Sequence, residues 1–394
     1  MSNINQIYTI VNEIAQETLG KRDTTSVKAW GDVVSFGDAV LSSDENKDKF
    51  VKSLVDRIAK TVISVRRYTG VTGGLIKDSF EYGCILQKIY VDLPDARVNN
   101  SWEIGEDNYK AEFAPVIKPT VKQKLFDKIT TFEVGVTIPD SMLKTAFTSA
   151  SAMSSFIDAI FVMVENKMQL SLENNANLTR ASFIARRFKY EKDLNTQGTK
   201  DNKRTLIDLL YWYNTAMGTM LTSDNCLYNT DFLMYATRII DMYKSHMAKM
   251  STYFNDDSYI RHTDSEHLNL TVLQDFASAC DTYLKSNVYH NNLVGLPNYN
   301  TVQYWQSPNS FKFENVSKVS ISFDGTEYTL PNVVGVMYDI DAMGITINNQ
   351  RSVTERNNHD EYTNYYSKCD IGYFNDMSEN GIVFHINGKA LADI

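Results

Sequence analysis

The residues best suited to metal binding or nucleophilic chemistry are six histidines, at positions 246, 262, 267, 290, 359 and 385, and four cysteines, at 84, 226, 280 and 369. Their spacing argues against both uses. No histidines stand in HxxxH or HExxH register and no CxxC occurs, whereas a zinc site needs three or four ligands in tetrahedral reach. His262, Asp264 and His267 come closest, but their neighbours describe a solvated loop before a helix. Cys369 and His385 would be a nucleophile and base, yet Cys369 falls in an alternating strand segment, where cysteine usually acts as a small inert hydrophobe. Asp339 and Asp341 form a DxD that could hold a divalent ion. Placed between an apolar strand and Met343–Gly344, they read better as turn residues bonding their own backbone. The VTGG of residues 71–74 lacks the context of a phosphate loop, and no GxSxG or kinase signature occurs. No catalytic residue, cofactor or metal is therefore expected, and a hydrolase with an unrecognised site is kept as an alternative of a different class.

Composition bounds the rest. A chain of 394 residues exceeds one typical domain. Its net charge of −9 disfavours a dedicated nucleic-acid binder. The scattered cysteines point to a reducing, cytoplasmic site of synthesis. The N-terminal residues lack the pattern of a signal peptide, and no run of about 18 apolar residues is present, so no membrane role is expected. Tyrosine and phenylalanine number 23 and 19, and tyrosine in particular suits surfaces buried on one side and wet on the other.

The elements follow from periodicity. Ile4, Ile7, Tyr8, Val11 and Ile14 repeat at helical spacing before Gly20, predicting a short amphipathic helix over residues 3–19 whose apolar face needs a partner. A second helix runs from a Ser42/Glu45 capping box through Phe50, Leu54 and Ile58. Residues 82–93 and 120–138 read as two strands of an extended hairpin, its long tip punctuated by Pro94, Gly105, Pro115 and Pro119. Lys118, Lys122, Lys124 and Lys128 all occupy even positions, so those within the returning strand share a face. That face is either a solvated edge that discourages aggregation or a surface that meets carboxylates of an adjacent subunit.

From Pro139 to Gly198 there is no internal glycine or proline. Met153, Phe156, Ile157, Ile160, Phe161, Val164 and Met168 make one stripe of a long helix there, weakening at Asn174, Asn175 and Asn177 and resuming at Phe183. Helices are predicted again from Leu206, from an Asp231 cap through Met250, and from Leu273 to Leu284. Short strands follow at 316–323, at 332–347 with a break from Asp339 to Gly344, and at 362–386 with a turn at Asn380–Gly381.

This order of pieces, with VVGVMYDIDAMGI and TNYYSKCDIGYFNDMSENGIVF near the end, resembles the major capsid proteins of tailed bacteriophages, the Hong Kong 97 fold. The resemblance implies an α+β chain with an N-terminal arm (1–77), a long hairpin or E-loop (78–138) and a peripheral domain with the spine helix (139–203). An axial domain (204–330) and a returning peripheral sheet (331–394) complete it. It implies a shell subunit without catalysis, found in the virion and made in the bacterial host cytoplasm. Such subunits form hexamers and pentamers around double-stranded DNA, which they meet only non-specifically, with the hairpin reaching across a neighbour. A portal protein is the implied partner, with separate scaffolding or decoration proteins, since about 75 residues before the hairpin leave little room for a built-in scaffold. The N-terminal stripe and the four lysines are the candidate subunit contacts. An encapsulin-type nanocompartment would share the fold.

Overall fold

The structure, a computed structural model, describes residues 67–68, 74–77, 86–92, 118–139, 150–196, 205–286 and 296–390. Both predicted helices before residue 67, including Ile4, Ile7, Tyr8, Val11 and Ile14, lie outside the described residues, as does the hairpin tip. The stretch free of glycine and proline forms one helix, α1 (Ala150–Thr196), 47 residues long, or about 70 Å at 1.5 Å per residue. The asparagines expected to weaken it instead bond within it. Asn175 Nδ2 donates to Ser171 O at 2.9 Å and Asn177 Oδ1 accepts from Arg180 at 3.0 Å, so their side chains are satisfied without unwinding the backbone. Of the expected stripe, Met153, Phe156 and Ile157 have side chains outside the described residues, Phe161 is 41% exposed and Met168 packs against a core, which Leu172, Ala176, Phe183, Ile184 and Phe188 continue in full burial.

The chain divides into two units. The first holds Met1–Arg67, Gly135–Asn166 and Val353–Tyr366. Within it Phe161 meets Tyr365 edge-on with ring centroids 5.4 Å apart, and Thr137 Oγ1 donates to Asn364 Oδ1 at 2.7 Å.

The second unit, Tyr68–Val134, Lys167–Ser352 and Ser367–Ile394, is built on a five-stranded sheet. Its strands are β5 (Leu206–Asp208), β6 (Leu268–Leu273), β7 (Asn300–Val302), β10 (Val333–Asp339) and β13 (Gly381–His385), in the order β5-β13-β10-β6-β7. Strands from both the predicted axial stretch and the returning stretch thus share one sheet. β10 is central and buried along its whole length, which explains its unbroken apolar run. Alternation along β13, and along β10 beyond a bulge between Val333 and Gly335, sends side chains to two different cores. Val334, Met337, Ile382 and Phe384 join a core with the helices α2 (Leu209–Met217), α3 (Thr230–Met247) and α4 (Gln274–Ser286). Val336, Tyr338 and Val383 face the other way, into a core with Phe183, Ile184 and Phe188 of α1 and with Trp305.

α3 is capped two residues earlier than expected, by Asn229 rather than Asp231. Asn229 Oδ1 accepts from Phe232 N at 2.9 Å, and Asp231 sits in the first turn. Replacing Asn229 by alanine is expected to cost about 1 kcal/mol, read as a lower midpoint in urea unfolding with an unchanged slope.

A second sheet has the order β1-β11-β12-β4, from β1 (Ile76–Lys77), β4 (Ile129–Pro139), β11 (Met343–Asn357) and β12 (Tyr362–Asn375). The predicted strand 120–138 is in fact two. β3 (Thr120–Phe126) pairs with β2 (Leu86–Asp92) as a separate ribbon, and β4 leaves it after the exposed Asp127 and Lys128. β4 finds a better partner in β12, where Thr131 Oγ1 donates to Asp370 Oδ1 at 2.6 Å and Lys368 pairs with Glu133 at 2.7 Å. A final hairpin joins β8 (Val319–Phe323) to β9 (Thr326–Leu330).

Candidate functional site: a carboxylate clamp on the hairpin

The β2–β3 ribbon has two chemically different faces. Its register pairs Leu86 with Phe126, Lys88 with Lys124 and Tyr90 with Lys122 on one face. On the other, Leu125 pairs with Gln87, Ile89 with Gln123 and Val121 with Val91. The first face packs on the chain's own body. At the ribbon's base Phe126 meets Phe374, centroids 5.5 Å apart. Further out, the side chains converge on Asp376, which is 1% exposed. Lys88 Nζ lies 3.2 Å from Asp376 Oδ2 and Lys124 Nζ 3.3 Å from Oδ1, and the Tyr90 hydroxyl donates to Oδ2.

Asp376 is held from below as well. Ser378 donates to its Oδ1 through both Oγ, at 2.6 Å, and the backbone N, at 3.1 Å. Burial alone would raise its pKa. The hydrogen bonds from Ser378 and Tyr90 and the charge of Lys88 outweigh that and bring it down to about 2. Burial and the bond to Asp376 push the Tyr90 phenol upward, so it stays a donor. Burial also works against the Lys124 charge, but Asp257, at 2.5 Å, and Asp376 prevail and raise its pKa.

The clamp widens around this centre. Lys88 also donates to Asp341 O at 2.5 Å and lies 3.5 Å from Glu379. Glu379 is pushed up by burial, with Lys88 and Arg261 opposing. Arg261 stacks its guanidinium 4.7 Å over the Tyr90 ring, and Lys122 Nζ stands 4.2 Å over the Tyr259 ring.

The loop carrying Asp376 is itself fixed by α1. Arg187, fully buried, reaches Asp256 Oδ1 at 2.5 Å and donates from Nη2 to the carbonyl oxygen of Glu379 at 2.7 Å. Gly381 makes the close approach possible, since a Cβ there would stand 2.5 Å from Phe183 Cζ. The arrangement holds charge and direction. It presents no nucleophile beside a base.

The four candidate lysines therefore separate. Lys122 and Lys124 share the inward face of β3; Lys118 precedes the strand and Lys128 follows its turn, both exposed. The carboxylates that Lys124 meets lie in its own chain, a third arrangement beside the solvated edge and the contact with an adjacent subunit that the sequence pattern offered. Lys88, Tyr90, Arg187, Arg261, Asp376 and Glu379 were not singled out from sequence. One local signal was present, because Leu86, Lys88 and Tyr90 alternate in step with the lysines opposite.

The other candidates have ordinary roles. Asp264 Oδ1 bonds the backbone N of His267 at 3.0 Å and its Nδ1 at 2.7 Å, closing an exposed turn. Asp339 accepts from Asp341 N at 2.9 Å and from Thr263 Oγ1 at 2.6 Å, and is thus a turn residue. Cys369 is buried on β12 with its thiol pushed up by burial, while His385, on β13, is lowered by burial to about 3 and contacts Asp208 and Asn387. Among the described residues no group of three or more histidine, cysteine or acidic side chains is placed to hold a metal.

The fold is that of a phage capsid subunit. The capsid structure of Staphylococcus phage Andhra superposes with a TM-score of 0.52 over 84% of this chain and 87% of that one, at 9% identity, which defines the class as an α+β capsid fold of the Hong Kong 97 type. The particular family is given by sequence: residues 11–385 match the profile of the Phi29-like phage major capsid protein, and the chain belongs to that family. Curated relatives agree. The major capsid protein of Bacillus phage GA-1 is 26% identical over 167 residues, 42% of this chain and 34% of that protein. That of Bacillus phage B103 is 23% identical over 168 residues, 42% of this chain and 36% of that protein. The aligned segment thus spans about a third of the length of these relatives. The family is one of structural capsid proteins of the phage virion.

Proposed function

We propose that copies of this chain assemble into hexamers and pentamers of a closed icosahedral shell around the double-stranded DNA of a tailed phage. Synthesis takes place in the host cytoplasm, and a portal protein and separate scaffolding or decoration proteins are the further partners. The observation that carries the reading is the outward face of the β2–β3 ribbon. Ile89, Val91, Val121 and Leu125 lie together there, 60%, 54%, 60% and 58% exposed. Scattered exposed apolar residues need no explanation, but four grouped on a narrow ribbon that is marginally stable alone are suited to burial on a second copy. Lys118 and the N-terminal stripe of Ile4, Ile7, Tyr8, Val11 and Ile14 are further candidates for that contact. Family membership favours a genome-enclosing shell over a nanocompartment for cargo enzymes.

Electron microscopy of the purified protein, alone and with its phage's scaffolding protein, tests this reading. The parental chain should yield closed shells, and Val121→Asp/Leu125→Asp should yield folded subunits with unchanged circular dichroism and no shells. Shells of normal size from the double variant would remove the ribbon face from the interface.

A further inference from the structure

A ribbon of two strands has no core of its own, so its direction must be set by what it lies on. Here the outward face is exposed and the inward face rests on the chain's own body, so the setting is intramolecular. Two contacts share the task. The Phe126–Phe374 pair at the base is apolar, and such contacts hold two surfaces together without fixing an angle. The second contact begins about 7 Å along the strand from the first, at about 3.3 Å per residue from Phe126 to Lys124, and extends to about 13 Å at Tyr90, which pairs with Lys122. It consists of charge-assisted bonds, which are directional. Lys88, Tyr90 and Lys124 all aim at one carboxylate. That carboxylate has little freedom, since Ser378 bonds it twice and its own backbone N donates to Ala342 O at 2.7 Å.

We propose that Asp376 is the positioning residue of the hairpin, a buried anchor that sets the angle of the β2–β3 ribbon in the free subunit before any neighbour is met. Phe126–Phe374 is the pivot and Asp376 the stop. The charged groups around the stop are Lys88, Lys124, Arg261, Glu379 and Asp257, with the Tyr90 hydroxyl. The anchor is 1% exposed, so its pairs are less screened by salt than exposed ones. The inference that this angle matters for shell formation rests on the assembly reading above; the setting of the angle does not.

The experiment is a cross-link that reports ribbon position. Lys122→Cys and Tyr259→Cys, introduced together with Cys84→Ser, place two thiols where Lys122 now lies over Tyr259, and a short bis-maleimide reads how often they meet. In isolated subunits, Asp376→Ala should slow cross-linking at least tenfold. Lys88→Met/Lys124→Met, which leaves the buried anchor in place, should do the same and serves as the second variant should Asp376→Ala not fold. Near-ultraviolet circular dichroism, which reports the aromatic cores, should be unchanged in the variant used. A cross-linking rate within twofold of the parent in a folded variant overturns the inference, whatever happens to shells. In a second arm, Asp376→Ala subunits cross-linked in advance should regain shell formation that the free variant has lost. Parental assembly by uncross-linked Asp376→Ala, with cross-linking slowed, would keep the anchor and overturn its part in assembly.

Discussion

Arg187→Met will destabilise the subunit by about 3–5 kcal/mol, the range for removing one partner of a buried ion pair. The side chain is wholly buried on α1 and binds Asp256 and the carbonyl of Glu379, with its guanidinium 5.0 Å over the Phe183 ring. Methionine fills much of the same volume but leaves the Asp256 carboxylate, 13% exposed at its side chain, without its cation. The loss is therefore dominated by the abandoned charge rather than by a cavity. Two measurements separate these causes. Urea unfolding of the subunit should show the full drop for Arg187→Met, and adding Asp256→Leu should recover more than half of it. A drop below about 1 kcal/mol for the single variant would mean that the loop is held by other contacts.

Acidification will release the clamp late and at a definable step. Asp376 has its pKa depressed to about 2 against an ordinary value of 3.8. A group depressed by folding contributes stability that is complete above the unfolded value and is lost as pH falls through the folded one. The window is thus roughly pH 4 to 2, and the contribution about 2 kcal/mol. Lys124 and Tyr90, whose pKa values are both raised, keep their protons across it. Glu379 acts in the opposite sense, because burial raises its pKa; its contribution is complete below its unfolded value and is lost as pH rises through the folded one. Comparing parent with Asp376→Asn in acid unfolding isolates the first group. The parent should lose stability between pH 4 and 2 with a slope that the variant lacks. Identical slopes would show that Asp376 does not titrate as the fold requires.

Much of the fold could be read from local pattern. The break after Asp339 and the glycine- and proline-free stretch of α1 depend on neighbours within a few residues, which periodicity reports; the turn expected at Asn380–Gly381 falls instead at Met377 and Ser378, and Gly381 opens β13. The division of strand 120–138 into β3 and β4 was not legible. Both halves have the same strand character, and only the competing partner β12, more than 200 residues on, separates them. The clamp was hidden for the same reason. Lys88 and Lys124 find Asp376 across 288 and 252 residues. A lysine on a strand is ordinarily solvated, and nothing near it in the chain announces a buried carboxylate. Asp376 itself, in the run FNDMSEN, has the look of a turn residue, which it also is.

The two-sided burial of β10 and β13 carries one more consequence. In β13 the even positions Ile382 and Phe384 belong to one core and the odd position Val383 to the other, while β10 reaches both cores through a bulge between Val333 and Gly335. Deleting a single residue inside Gly381–His385 would not merely shorten a strand. It would exchange Val383 for its bulky neighbours Ile382 and Phe384 and leave both cores with the wrong volumes at once. Substitutions that keep size and parity can accumulate there, while insertions and deletions cannot. The inheritance of this sheet is therefore a matter of counting, and drift in letters should be far freer than drift in length.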